Sequence, residues 1–181
     1  MPTFPPLVTW VPKYDISFIE PLLVTAKLLV ERDQVQALAW ASPDILLTPF
    51  AHRLYARREA KFYESRVSAF PLLILAPGSS KVALTDDGNY VGEEHQIAAE
   101  IALAGSDADA LTIQIVRYVK AVDMIWRSAS PADLMWNLTA AHTMRPETDV
   151  IEHGYNVIAE DGPNAYLHTA SLTLTAKFIE R

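Results

Sequence analysis

The sequence predicts an α+β protein in which a mainly antiparallel β-sheet is flanked by helices on one face. Two segments have helical periodicity, and most segments between and after them are apolar runs or alternate apolar with polar residues. The last of these, Tyr166–Arg181, alternates over almost its whole length. Because helices and strands do not alternate one by one, the pattern favours α+β over a parallel α/β fold.

Length and composition indicate one domain over residues 1–181. Half of the residues are hydrophobic and 20% are charged, so a sizeable core is expected. The formal net charge of -7 argues against binding nucleic acid over the whole surface, although a local basic patch is compatible with it. There is no cysteine, which excludes disulfides, thiol nucleophiles and cysteine-based zinc sites.

The first residues are predicted to form an extended arm over residues 1–14. Their sequence, MPTFPPLVTWVPKYD, is interrupted by prolines and lacks the basic start and apolar run of a signal peptide. No apolar stretch approaches the roughly 20 residues that a membrane-spanning helix needs. We therefore expect a soluble protein with no membrane partner.

The first helix is predicted to begin at Ser17 or Pro21 and to end near Arg32. Ser17 has capping-box spacing to a glutamate three residues later, and proline at 21 suits the first turn of a helix. Residues 35–41 fit either a continuation of this helix or a short strand. Pro43 ends the element in both cases.

Residues 43–69 are interpreted as an insertion or contact segment. Within them HRLYARREAKFYESR (52–66) has helical propensity and carries basic side chains among aromatic ones. This chemistry suits single-stranded nucleic acid, a solvated helix face or a protein contact. Glu59 and Glu64 interrupt the basic run, and arginine and tyrosine are residues that interfaces favour, so a protein contact is the preferred interpretation.

Two strands are predicted next. FPLLILAP (70–77) is an apolar run between prolines, which favours a buried strand, and DDGN (86–89) is a turn signal. In EEHQIAAEIALAG (93–105) apolar residues alternate with mostly polar ones, which predicts a second strand that ends at Gly105.

A long helix is predicted over about residues 107–128. Ser106 and Asp109 have N-capping spacing, and Arg127 lies at the end where the helix dipole favours a cation. Residues 131–138 are expected to fold back on the core.

Segments 148–160 and 164–180 are predicted to form a C-terminal β-hairpin closed by the turn EDGPN. One face of the second strand is apolar and the other is rich in threonine. We expect the apolar face to pack on the helices, and the threonine face or the strand edge to contact a neighbouring subunit.

No catalytic, cofactor-binding or metal-binding motif is found. The five histidines form no compact ligand set, and neither a phosphate-binding glycine loop nor a G-x-S-x-G nucleophile occurs. We expect a protein that is not an enzyme and that has no cofactor or metal. A catalytic triad assembled in space from separate segments remains an alternative.

The C-terminal two thirds, about residues 70–181, resemble the tail terminator (tail completion) proteins of long-tailed bacteriophages. The similarity lies in the FPLLIL strand, in HQIAAEIALAGSDADALTIQIVRYVKAVDMIWRSA and in DVIEHGYNVI before the threonine-rich strand. In that family a sequence segment like Ile101–Asp107 is followed by a long helix that contains a tyrosine, here Tyr118. The chain then ends on an outer strand, here 164–180.

The resemblance implies a structural virion protein of the phage neck. Such a protein forms a homo-oligomer, typically a six-membered ring, which caps the tail tube and provides the head-docking surface. Its partners would be the tail tube protein and head-completion or connector proteins, and it would be assembled in the host cytoplasm. DNA would be only passing cargo, so we expect an acidic or neutral channel lining, since a cationic lining would bind DNA tightly.

The arm and segment 43–69 are predicted to make intermolecular contacts, together with the threonine-rich strand. The alternative is that the two segments cover the domain's own core. The candidate interface residues are Trp10, Arg53, Arg57, Arg58, Tyr63, Thr169, Thr173 and Thr175.

Two other functions remain open at this level. Another head–tail connector or head-completion adaptor would belong to the same class and would differ in the partner it binds. A small soluble ligand-binding module, or an enzyme without a recognisable motif, would instead present a discrete pocket.

Overall fold

A computed structural model describes residues 19–55, 70–84, 90–130, 142–146, 153–159 and 166–180, which form two helices and six strands. The elements are α1 (Ile19–Ala41), β1 (His52–Tyr55), β2 (Leu72–Leu84), β3 (Tyr90–Gly105), α2 (Ala108–Ser128), β4 (His142–Pro146), β5 (His153–Ala159) and β6 (Tyr166–Glu180). The predicted α+β class is confirmed. The predicted arm, the turns at 86–89 and 160–164, and residues 131–138 lie outside the described residues.

The sheet is centred on β3 and β6. Its strand order is β1-β2-β3-β6-β4, and β5 also pairs with β6. The β1–β2 pair is parallel, and the other described pairs are antiparallel. The predicted C-terminal hairpin is confirmed as the β5–β6 pair, in which His153–Ala159 lies against Tyr166–Leu172.

The final strand lies inside the sheet, and the expectation of an outer strand was wrong. One edge of β6 pairs with β3 from Tyr166 to Ile179. The other edge pairs with β5 up to Leu172 and with β4 from Ala176 onward. Two short strands placed end to end thus occupy most of the edge that was expected to meet a neighbouring subunit.

Both helices pack on one face of the sheet, which we call the front face. Alternate residues of β3 and β6 point to it, and they form one apolar cluster with the buried stripes of α1 and α2. The sheet members of this cluster are Leu73, Leu75, Ile97, Ala99, Ile101, Leu103, Ala170, Leu172, Leu174 and Ala176. This confirms that the apolar face of the last strand packs on the helices.

The helix α1 is longer than predicted, because residues 35–41 continue it. Ala37, Leu38 and Ala41 are buried and extend the apolar stripe of the preceding turns, which settles the choice between helix and strand. The backbone N–H of Ser42 still donates to the Leu38 oxygen over 3.0 Å. The proline at 43 then prevents a further turn.

The helix α2 matches the predicted span, but its N-terminal cap differs. Asp107 has extended backbone angles, and its side chain accepts a hydrogen bond from the Ala110 N–H over 3.0 Å. The cap is therefore Asp107 and not Ser106. Near the other end Arg127 pairs with Asp123 over 2.7 Å.

Residues 52–55 form strand β1, although segment 52–66 was predicted to be helical. His52–Tyr55 pairs in parallel with Leu72–Leu75 of β2, and the Ala51 N–H donates to the Pro71 oxygen over 2.9 Å. Pairing with a buried strand outweighs the weak local preference for helix. The rest of that segment lies outside the described residues.

Candidate interaction surfaces

The loop between α1 and β1 is held against α2 by a charged pair. The guanidinium of Arg117 lies 2.8 Å and 2.9 Å from the two carboxylate oxygens of Asp44 and donates to Ser42 Oγ over 2.7 Å. Ser42 Oγ in turn donates to the Ile45 oxygen over 2.6 Å. The hydrogen bond from Arg117 lowers the pKa of the Asp44 carboxyl below its ordinary value.

The second half of this loop is held by an aromatic pair. The hydroxyl of Tyr118 donates to the Thr48 backbone oxygen over 2.7 Å, and the rings of Phe50 and Tyr118 have centroids 5.2 Å apart. The Phe50 N–H donates to the Gln34 side chain over 3.2 Å. Burial raises the pKa of Tyr118, although the hydrogen bonds to Thr48 oppose that shift.

This loop presents an apolar tip to solvent. The side chain of Leu46 is 94% exposed and that of Ile45 is 40% exposed, whereas Leu47 and Phe50, which follow them, are buried. Since both ends of the loop are bonded to the helices, Leu46 is held outward at little entropic cost. An exposed leucine on a well-anchored loop is a candidate contact residue.

A groove of about 290 Å³ lies between α1 and α2. Its rim carries Trp40, which is 69% exposed. Other large apolar side chains on the two helices are also exposed, namely Val35, Ile113 and Val116. The groove is lined by Asp33, Gln36, Ala37, Trp40, Met124, Ile125 and Ser128.

The rear face of the sheet, opposite the helices, is the third surface. Its two ends differ, because Leu72, Ile74 and Ala102 form a small buried cluster at one end. At the other end Lys81 pairs with Glu94 over 4.0 Å. Between them lie the side chains of Gln96, Ala98, Glu100, Ser171, Thr173 and Thr175, which cross-strand register places side by side.

The predicted interface residues fall in three groups. Trp10, Arg57, Arg58 and Tyr63 lie outside the described residues. Arg53 lies in β1 in register with Leu73. Thr169 and Thr173 are partly exposed on the rear face, and contacts through them stay a prediction. Thr175 is only 7% exposed, so within this chain its side chain is not available to a partner.

The two buried histidines of the described residues are separate from each other. His95 Nε2 lies 2.7 Å from a Glu93 carboxylate oxygen, and His95 pairs with Ala176. His168 pairs with Leu103, and its Nδ1 lies 3.5 Å from Thr112 Oγ1. Burial lowers the pKa of His168, and its Nε2 has no hydrogen-bond partner among the residues that the structure describes.

The described residues contain no group of three or more side chains that could hold a metal ion. Among the same residues, no helix is both long enough and apolar enough to cross a membrane.

Comparisons with known proteins give similarities to solved structures only. No family model matches the sequence, and no curated protein does so either. A chain of a solved structure described as "Virion of native gene transfer agent (GTA) particle" is similar, with a TM-score of 0.43 and 13% sequence identity. The match covers 92% of this chain and all of that chain. Function must therefore be inferred from the sequence pattern and from the surfaces of the chain itself.

Several surface residues were not identified from the sequence. Leu46 was inside the predicted contact segment but was not singled out, and Trp40 was read as part of an ambiguous element. A signal exists for Trp40: once α1 is extended to Ala41, the helical spacing places Trp40 off the buried stripe. No local signal marks Leu46. Its exposure depends on the position of its loop, which Arg117 and Tyr118, far along the chain, hold through Asp44 and Thr48.

Proposed function

We propose that this chain is a structural protein of a phage-like virion, a tail terminator that forms a homo-oligomeric ring of about six copies on the tail tube. The ring ends tube polymerisation and provides the surface to which the head docks. The role requires no catalysis and no cofactor. Its partners are further copies of the same chain, the tail tube protein and the head-completion or connector proteins.

The observation that carries this proposal is the arrangement of β3, α2 and the β5–β6 hairpin. The segment Ile101–Asp107 ends strand β3 and supplies the N-terminal cap of α2. The resemblance to tail terminators depends on this segment. Tyr118, expected in the long helix, lies at its centre and is buried. The element order of the resemblance is thus present, although the last strand is interior and not outer.

The surfaces of the described residues support a binding role. A protein that acts only by contact needs side chains that are apolar, exposed and rigidly placed. Leu46 meets this description, because the pairs Arg117–Asp44 and Tyr118–Thr48 hold its loop. Trp40, exposed beside the groove between the helices, is an aromatic anchor of the kind that interfaces favour.

The experiment is deletion of the gene in the producing phage or phage-like element, followed by electron microscopy of the particles. We expect tail tubes longer than normal, because nothing ends their polymerisation, and heads without tails. Complementation with the wild-type gene is the control. Normal tails joined to heads would contradict the proposal.

A head-completion adaptor is the runner-up and would give a different result in the same experiment. Loss of such an adaptor leaves tails of normal length that are not attached to heads, because a different protein ends the polymerisation of the tube. Tail length therefore separates the two neck functions. A map of the assembled neck that shows a single copy of this chain would contradict the proposed ring.

A further inference from the structure

The tip of the loop between α1 and β1 is apolar, exposed and already ordered. Leu46 is almost fully exposed, and its neighbour Ile45 is exposed as well. On one side of this tip the Asp44 carboxylate is bound to α2 by an ion pair of 2.8 Å. On the other side the Thr48 oxygen accepts a hydrogen bond of 2.7 Å from α2. Because the backbone of the tip is held from both sides, little conformational entropy is lost when a partner binds it.

The groove between α1 and α2 has the size and the lining to accept such a tip. Its volume of about 290 Å³ lies just below the range of about 300–1,000 Å³ that is usual for drug-sized ligands. Bound aliphatic side chains fit this volume better than a ligand of that size. Four of the residues that line the groove are apolar, namely Ala37, Trp40, Met124 and Ile125.

The tip and the groove are separate surfaces of the chain. The loop is bound to α2 at Arg117 and Tyr118, whereas α2 lines the groove from Met124 to Ser128. A helix rises 1.5 Å per residue, so these two stretches of α2 are roughly 10 Å apart. The exposure of Leu46 shows that the tip does not fill the groove of its own chain.

We propose that Leu46 of one copy of this chain inserts into the groove between α1 and α2 of the next copy, where it packs on Trp40 and Met124. The inference rests on the proposed function and deepens it, because it names the contact through which copies join into a ring. Since the tip and the groove are different surfaces, the contact is head-to-tail. Such contacts generate rings when their rotation closes.

Charges beside the two surfaces favour a second copy as the occupant. The exposed carboxylate of Asp44 lies two residues before Leu46. The exposed guanidinium groups of Arg32 and Arg127 are next in sequence to residues that line the groove. Insertion of the tip therefore brings a negative group towards positive ones.

The groove is also a suitable place for two acidic chains to meet. Each chain carries a formal net charge of -7, so contacts between copies are favoured where the local charge is balanced. Beside the groove Arg32 pairs with Asp33, and Arg127 pairs with Asp123, each over 2.7 Å. Beside the tip the acid is likewise balanced by Arg117. Neither surface carries the excess negative charge of the whole chain.

The first test is disulfide cross-linking between copies, because the native chain has no cysteine. Two full-length variants, Leu46→Cys and Gln36→Cys, are mixed and mildly oxidised, with a tag on one of them to distinguish mixed from like pairs. Gln36 is exposed and lines the groove. A disulfide requires Cα atoms within about 7 Å, so we expect mixed dimers to form about 10-fold faster than in a control mixture. The control pairs Leu46→Cys with Asp109→Cys, whose residue is exposed at the opposite end of α2.

The second test is self-association of full-length variants in sedimentation velocity. Leu46→Asp places a charge in the apolar groove, and Trp40→Ala removes the aromatic side chain at its rim. We expect each to weaken self-association by about 30-fold, as loss of a central interface residue does. Both residues are exposed, so the fold should tolerate the changes, and circular dichroism checks this. Val157→Asp, at an exposed apolar residue of β5, is the matched control and should leave self-association unchanged.

The outcomes separate this inference from the proposed function. Preferred cross-linking of Leu46→Cys with Gln36→Cys supports the contact. Equal cross-linking in both mixtures, or a Leu46→Asp variant that self-associates like the wild type, overturns it. If the wild type stays monomeric at its highest soluble concentration, the cross-linking result alone decides. A closed dimer with the preferred cross-link would support the contact and contradict the six-membered ring. The gene-deletion experiment on tail length is independent of all these results.

Discussion

The indole Nε1 of Trp126 donates a hydrogen bond to the backbone oxygen of Thr175 over 3.0 Å, and this bond joins α2 to the interior strand β6. Trp126 is among the largest fully buried side chains. Thr175 lies between the stretch of β6 that pairs with β5 and the stretch that pairs with β4. A helix side chain thus bonds to β6 in the short stretch between these two pairings.

We predict that Trp126→Phe lowers the free energy of unfolding by about 1–3 kcal/mol. The substitution removes the donor to the Thr175 oxygen and leaves a small cavity. Urea denaturation followed by circular dichroism measures the change. Trp40→Phe is the matched control, because Trp40 is 69% exposed, and it should change the value by less than about 0.5 kcal/mol. Equal effects of the two substitutions would contradict the prediction.

We predict that Tyr118→Phe lowers the free energy of unfolding by about 0.5–1.5 kcal/mol. The hydroxyl donates to the Thr48 oxygen over 2.7 Å in a partly buried site, and its loss leaves that acceptor without this donor. Amide exchange in residues 45–50 should quicken, which reports loosening of the loop. Lys120→Ala, on the exposed side of the same helix, is the control. Unchanged exchange would contradict the prediction that the hydroxyl helps to hold the loop.

We predict that Glu100→Gln stabilises the isolated chain at pH 7 and has little effect near pH 4. The folded-state pKa of Glu100 is raised, so the folded chain binds this proton more tightly than the unfolded chain. Its contribution is therefore fully present below the ordinary glutamate pKa and is lost as pH rises through the raised pKa. Among the side chains that the structure describes, the other charged ones on this face belong to Glu94, Lys81 and Lys177, which lie several residues along the strands from Glu100.

The measurement is the melting temperature of wild type and Glu100→Gln at both pH values. Glu94→Gln is the control, since its exposed pair with Lys81 should contribute little. A lower melting temperature of Glu100→Gln at pH 7 would mean that the carboxylate already has a favourable partner within the chain.

We predict that Gly78→Ala destabilises the protein by about 1–3 kcal/mol. Gly78 lies at the irregularity between Pro77 and Ser80, where a Cβ would come within 2.8 Å of the Gln96 backbone oxygen. Gly105→Ala is a matched control, because the nearest atoms to its Cβ would be those of the Leu111 side chain, at 3.5 Å or more. Denaturation midpoints compare the two, and an equal loss would contradict this explanation.

The periodic elements could be predicted because one local pattern decides each of them. The alternation around Ile97 and Ile101 predicts β3, and the spacing of Leu111, Ile115 and Tyr118 predicts α2. In both elements the apolar side chains are the buried ones. The hairpin β5–β6 followed from alternation and turn composition in the same way.

The sheet order could not be predicted, because it depends on pairs far apart in sequence. No local feature shows that residues 166–179 pair with 92–105 on one edge and with β4 and β5 on the other. For the same reason 52–55 was read as helix. Its strand conformation comes from pairing with Leu72–Leu75.

The candidate surfaces were predicted only in outline. The threonine-rich face was identified from alternation, but Glu100 and Glu94 occupy equivalent positions in the pattern of β3. Only cross-strand neighbours distinguish them, since one lies beside Ile74 and Ser171 and the other beside Lys81 and Lys177. Burial of Thr175 likewise depends on surrounding strands and not on its own segment.

The interior position of β6 also determines the order in which the sheet can be completed. The strands β3 and β6 form the central pair, yet residues 106–165 lie between them. The β2–β3 hairpin and the two helices can form first, while one edge of β3 stays unpaired until β6 docks on it. Closing the loop of residues 106–165 is slow, and until then the unpaired edge of β3 exposes backbone groups that can pair with other chains. We expect refolding to be limited by docking of β6, with aggregation as the competing path at high protein concentration.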